Sequence, residues 1–142
     1  MTVDNAITLD ANTSIGFVGA GRLGTSVAVA LQRADYRVVA VSSRSASSAE
    51  SFAESVPGCA PLSSSQDVAD IADAVFITTP DASVEPVVSG ISWRRGQAVV
   101  HWSGARPLSD LASAHESGTR TGGLHLALIH IFESTRRYAI PQ

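Results

Sequence analysis

The residues that decide how this chain folds are Gly19-Ala20-Gly21-Arg22-Leu23-Gly24, a G-x-G-x-x-G run. It follows an apolar segment carrying Ile15, Phe17 and Val18 and opens into Val27-Ala28-Val29-Ala30-Leu31. Between a strand and a helix each glycine has a separate job. Gly19 permits the tight turn, Gly21 lets a pyrophosphate approach the backbone, and Gly24 lets the helix pack close to the strand. The following helix turns its free N–H groups and positive dipole end toward whatever lies over the turn, which suits a diphosphate. The same run also suits a glycine-rich turn in an α/β protein that takes no cofactor.

Outward from this run the pattern alternates. Ser14 to Val18 reads as the first, central strand of a parallel sheet. The helix from about Arg22 to Ala34 presents Leu23, Val27, Ala28 and Leu31 on one face. Val38 to Val41 is a continuous β-branched strand, and Ser47-x-x-Glu50 reads as the capping box of a helix with Ala49, Phe52, Ala53 and Val56 inward. Cys59 to Leu62 reads as a short strand, and Ser63-x-x-Gln66 as the cap of a brief helix carrying Val68 and Ile71. Ala74 to Thr79 is a strand stopped by Pro80, and Val84, Val87, Val88 and Ile91 mark a helix. That helix is expected to begin near Ser83, which puts Pro86 in its first turn. Ala98 to Trp102 is a further strand. Pro107 opens a helix with Leu108, Leu111, Ala112 and His115 on one face and Gly118 as its C-terminal cap, and Gly123 to Phe132 reads as a last strand. Strand and helix in alternation with short connections predict an α/β fold: a Rossmann-like, doubly wound, mostly parallel sheet with helices on both faces.

A chain of 142 residues with 44% apolar and 16% charged residues has the size and composition of one globular domain. Its net charge of −3 carries no acidic or basic block, so neither a nucleic acid nor a membrane is an expected partner. The single Cys59 forms no internal disulfide and reads as an apolar filler, which fits a reducing cytoplasm. Residues 1–13 read as a flexible leader without the features of a signal peptide, 14–132 as the dinucleotide-binding domain, and 133–142 as an irregular tail.

Ligands of such sheets bind beyond the carboxyl ends of the strands, where strand order reverses. Four tips are nominated by that rule: Gly19 to Gly24, Ser42 to Ser45, Thr78 to Asp81 and Ser103 to Ala105. The second is the most informative after the glycines, because an NAD site places an Asp or Glu there to hold the ribose 2′-hydroxyl. Here it holds Ser43, Arg44 and Ser45, hydroxyls and a guanidinium suited to a 2′-phosphate, so the expected cofactor is NADP (NADPH). Arg22 can point at a phosphate or at solvent. Thr79 and Pro80 are expected to shape the wall near the nicotinamide ribose, and Asp81 reads as a cap or turn residue. His101 lies near a strand tip beside Ser103, though a lone strand histidine is more often structural. His125 and His130, five apart, face opposite sides of a regular strand and cannot share a metal. No metal site is expected, and Ser103-Gly104 is not a nucleophile elbow.

The run Ile15 to Gly24, the Val41-Ser42-Ser43-Arg44-Ser45 tip, the Thr79-Pro80-Asp81 tip and His101-Trp102-Ser103-Gly104-Ala105 resemble a family of NADP-dependent oxidoreductases. These pair a Rossmann-like N-terminal domain with an α-helical C-terminal domain. They look related to 6-phosphogluconate and 3-hydroxyisobutyrate dehydrogenases, pyrroline-5-carboxylate reductases and deazaflavin-dependent NADP reductases, and some members are similar to an alternative ketopantoate reductase. The resemblance runs over about residues 14 to 125. It implies hydride transfer between NADPH and a small carbonyl or imine substrate, with Gly19, Ala20, Gly21, Arg22, Leu23, Gly24, Ser43, Arg44, Ser45, Thr79, Pro80, Ser103 and Gly104 at the cofactor. It also implies a homodimer.

This chain departs from the family pattern twice. Trp102 stands where a small residue or cysteine is usual, and His125 is followed by Leu126-Ala127-Leu128-Ile129-His130 in place of His-Pro-Leu-Gln. The chain therefore reads as a truncated or frame-altered version, or a trimmed fragment, without the helical domain that completes the substrate pocket. The alternative expectation is a nucleotide-binding module that holds the cofactor without turnover. A third is that Leu124 to Phe132 forms an apolar surface that drives self-association.

Overall fold

The computed structural model describes residues 9–101 and 108–123. Ser103 and Gly104, Trp102, Pro107, the run Leu124 to Phe132 and the tail lie outside the described residues.

Six described strands pair in parallel in the order β3-β2-β1-β4-β5-β6. They are β1 (Ser14–Val18), β2 (Arg37–Ser42), β3 (Ala60–Pro61), β4 (Ala74–Ile77), β5 (Ala98–His101) and β6 (Arg120–Gly123). Between them run α1 (Arg22–Arg33), α2 (Ala46–Ser55), α3 (Ser65–Ile71) and α4 (Asp81–Ser89), then a 3-10 turn (Leu108–Leu111) that leads into α5 (Ala112–Glu116). The chain starts at the centre, winds outward to β3, then returns to place β4 on the other side of β1. That reversal is the topological switch point, and it opens a crevice beyond the carboxyl ends of β1 and β4.

The sheet is buried on both faces, as its near-continuous apolar strands require. On one face Ile15, Phe17, Val41, Phe76 and Val100 pack against Val27, Ala28 and Leu31 of α1 and Ala49 and Phe52 of α2. Phe17 sits between Phe52 and Phe76, with ring centroids 5.3 and 5.1 Å away. On the other face Val18, Ala40, Val75, Ile77 and Val99 meet Val68 of α3, Val84 and Val88 of α4, and Leu111 and Ala114. The register of β1 against β2 shifts at Ile15/Gly16, and this bulge lets Val38 and Val41, three apart, belong to the same face.

Several local expectations shift. The cap of α2 is Ser45, whose hydroxyl accepts from Ser48 N at 3.3 Å; Ser47 instead bonds Ser45 Oγ at 2.9 Å. The cap of α3 is Ser64, accepting from Asp67 N at 3.1 Å, while Ser63 donates to Asp67 Oδ2 at 3.2 Å. In both serine clusters the residue with an extended backbone wins the cap, a choice that spacing alone leaves open. Helix α4 begins at Asp81, so Pro86 lies inside it. Pro86 and Ala82, the residue whose carbonyl it leaves without an intrahelical partner, are both on the exposed side, where water can take the bond. The 3-10 turn ahead of α5 rotates the inward face to Leu111 and Ala114, and Ala112 and His115 are exposed. Gly118 follows the end of α5 with φ +89°, as expected of a C-terminal glycine. Strand β6 was not expected. Arg120-Thr121-Gly122-Gly123 has no apolar run to announce it, and it forms by pairing with β5.

Candidate functional site

Beyond the carboxyl ends of β1, β2, β3 and β4 lies one cleft of about 690 Å³. Its floor is the glycine turn. Gly19 leaves β1 with φ +108°, donates its N–H to Ser42 O at 2.8 Å, and is so close to β4 that a Cβ would sit 2.7 Å from the Thr78 carbonyl carbon and the Thr79 nitrogen. A side chain is excluded there by backbone conformation and by backbone contact together. Thr78 fastens the turn by donating its hydroxyl to Gly19 O at 2.8 Å.

Gly21 differs. It lines the cleft, yet an added Cβ would meet no protein atom within 4 Å. The space its missing side chain leaves is therefore open for something outside the protein. Gly21 is also the N-cap of α1, with no side chain capping the helix and no acid in the first turn, so the positive end of α1 is uncompensated. Helices α2 and α3, by contrast, are capped by Ser45 and Ser64.

The residues lining the cleft include Gly19, Ala20, Gly21, Arg22, Leu23, Ser43, Arg44, Thr79 and Pro80, the expected cofactor-binding set brought together from three strand tips. Two expected members stand elsewhere. Gly24 lies behind the floor, where a Cβ would come within 2.6 Å of Thr78 Oγ1, so its role is close packing of helix on strand. Ser45 is occupied as the α2 cap and does not line the cleft. Leu23, expected both on the apolar face of α1 and at the cofactor, is 37% exposed and part of the cleft wall.

Among the described residues the only charged side chains lining the cleft are Arg22 and Arg44, and no Asp or Glu lines it. Both guanidiniums are solvent-exposed, and Arg44 Nη2 reaches across to Ser83 Oγ of α4 at 3.4 Å. Thr79 Oγ1 is buried without a hydrogen-bond partner, an orphan acceptor and donor in the cleft wall. An open glycine, an uncapped helix end and two cations form a donor set for a phosphorylated ligand.

Sequence reasoning missed the tip after β3. Ser63, Ser64 and Ser65, after β3, line the same cleft with Ser42 and Ser48, and α4 adds Ser83 and Val87. The signal was present: a serine run directly after a short strand, to which the strand-tip rule applies as it does to the other tips. His101, by contrast, is 1% exposed at the end of β5, is engaged by other groups and is not among the residues lining the cleft. Cys59 is buried in the apolar cluster under α2, and that burial pushes its thiol from 9.0 up to about 11.

Comparison with known proteins follows the same line. Residues 2–130 match the model of the Rossmann-like domain family. The chain belongs to this family. No match was found among the sequences of curated proteins. Among solved structures, a Bacteroides fragilis protein with the provisional designation NADP oxidoreductase is 29% identical, with a TM-score of 0.60 over 70% of this chain and 39% of that one. A 3-hydroxyisobutyrate dehydrogenase of Mycobacterium tuberculosis is 21% identical, with a TM-score of 0.66 over 77% of this chain and 38% of its own. An imine reductase of Aspergillus terreus in complex with NADPH4 is 19% identical, with a TM-score of 0.66 over 78% of this chain and 40% of its own. The chain thus spans about two fifths of the length of each. The shared part is the fold of the sheet and its helices.

Proposed function

We propose that this chain is the NADP-binding domain of an oxidoreductase that moves a hydride between NADPH and a small carbonyl or imine compound. The observation that carries the reading is the juxtaposition, in one cleft, of the open Gly21 turn at the uncapped end of α1 with the acid-free Ser43-Arg44 tip of β2. The turn and the α1 N–H groups take the pyrophosphate. Arg44 and Ser43 take the ribose 2′-phosphate, where an acid would instead select the 2′-hydroxyl of NAD. Thr79 and Pro80 border the nicotinamide end. When bound, the dinucleotide supplies the hydride, and the protein's share is to hold it in one orientation. That the solved structures sharing the fold include dehydrogenases and reductases supports this reading.

One observation favours a second reading, in which the chain binds the dinucleotide without turnover. The described cleft-lining residues include no His, Lys, Tyr, Cys, Asp or Glu, the side chains that usually serve as general acids in catalysis. Titration of the folded chain with NADPH, followed by turnover assays on a panel of 2-oxo acids and cyclic imines, tests both. Saturable binding with NADPH oxidation supports the oxidoreductase. Binding with no oxidation of NADPH supports the second reading, and absence of binding at millimolar NADPH contradicts both.

A further inference from the structure

The β2 tip offers only Ser43 and Arg44 to a 2′-phosphate, and a phosphomonoester has three terminal oxygens to satisfy. The hydroxyl protons around that tip can be followed one by one. Ser63 donates to Asp67 Oδ2 at 3.2 Å, so its proton is engaged, and Ser42 Oγ makes a long contact of 3.5 Å with Ser65 Oγ, with Ser42 as the donor. Ser43, Ser64 and Ser65 are in the opposite situation. Ser43 Oγ accepts from Ser45 N at 3.3 Å, Ser64 Oγ from Asp67 N at 3.1 Å, and Ser65 Oγ from Ser42. Each has used a lone pair, and none gives its own proton to a described residue.

These three hydroxyls belong to one place. Strand β3 pairs with β2, Leu62 N donates to Val41 O at 2.8 Å, and the Ser42–Ser65 bond ties the two tips together on the side of the cleft that carries Arg44. The Asp67 carboxylate accepts from Ser63 and does not line the cleft.

We propose that the tip after β3 completes a phosphomonoester pocket, in which Ser64 and Ser65 donate their hydroxyl protons, beside Ser43 and Arg44, to the phosphate on the adenosine ribose. The inference rests on the NADPH reading of the cleft and adds a second strand tip to the discrimination against NADH. Accepting from a neighbour polarises each O–H toward donation, and an anionic acceptor makes each bond stronger than one to a neutral group.

The test is calorimetric titration of the full chain with two adenosine fragments, 2′,5′-ADP and 5′-ADP, with folding of each variant checked by circular dichroism. Ser65→Ala removes one donor. Ser64→Asp keeps the acceptor that caps α3 but has no proton to give and adds a negative charge. Wild type is expected to prefer 2′,5′-ADP. Ser65→Ala should weaken 2′,5′-ADP by about five- to tenfold and Ser64→Asp by about a hundredfold, while 5′-ADP changes by less than about threefold. If wild type prefers 2′,5′-ADP and either variant keeps that preference undiminished, the inference fails while the NADPH reading stands. If wild type shows no preference, both fail.

Discussion

At the scale of single residues, the two glycines of the turn separate folding from binding. Gly19 is required by the fold, because a Cβ there would stand 2.7 Å from the Thr78–Thr79 backbone just after β4 at a φ of +108°. Gly19→Ala should therefore cost about 2–4 kcal/mol of stability, read as a lower midpoint in urea unfolding. Gly21 has no protein neighbour to offend. Gly21→Ala should cost less than about 1 kcal/mol in the same experiment, yet weaken NADPH by about tenfold or more because its methyl group enters the cleft. Cys59 gives a prediction of the opposite kind. Its thiol is pushed from 9.0 up to about 11 by burial, so the folded chain keeps a proton that the unfolded chain loses. Stability should be indifferent to this group below pH 9 and fall between pH 9 and about 11, since the unfolded state then binds fewer protons. Ser is the control: Cys59→Ser should remove that part of the alkaline loss. At pH 8 a disulfide reagent should modify native Cys59 far more slowly than the urea-unfolded chain.

At the scale of elements, α3 shows what holds a short helix in place. Its end, at Ala69, Asp70 and Ala72, presents carbonyls that the Arg94 guanidinium meets at 2.8, 2.7 and 3.0 Å. Gln97, 4% exposed, donates to Ala69 O and Ala72 O and accepts from Arg94 N. Gln97→Leu removes one of the two donors to Ala69 O and Ala72 O, which keep Arg94, and leaves Arg94 N without its acceptor; it should cost about 1–3 kcal/mol in urea unfolding, with NADPH affinity unchanged because the cleft lies at the other end of the strands. Nothing in Trp93-Arg94-Arg95-Gly96-Gln97 announces this role, since it depends on a loop meeting a helix about 25 residues away. The parts of the fold legible in the sequence are those set by local pattern: the apolar strands β1, β2, β4 and β5, the helices that follow them, and the glycine turn. The shifted parts answer to tertiary context. Pro86 is tolerated in mid-helix because its side of α4 faces solvent, and β6 exists because β5 offers an edge to pair with. The cleft was legible at the tips of β1, β2 and β4. It was not legible at the tip after β3, because β3 is only two residues long and its serines read as a helix start.

At the scale of the whole molecule, the order β3-β2-β1-β4-β5-β6 brings tips far apart in sequence to one crevice, from Gly19 to Val87. Charge follows the same geometry. A chain with a net charge of −3 nonetheless lines its main cleft with two arginines and no described carboxylate, so the cleft favours an anion against the overall sign. In the proposed function, Arg44 selects the dinucleotide. The most direct measurement is the pair of NADPH and NADH dissociation constants for wild type and Arg44→Ala at one fixed salt concentration. The account predicts that wild type prefers NADPH and that Arg44→Ala weakens NADPH by about 1.5–3 kcal/mol while NADH changes little. Equal binding of the two dinucleotides by wild type, or equal losses for both in Arg44→Ala, would contradict it.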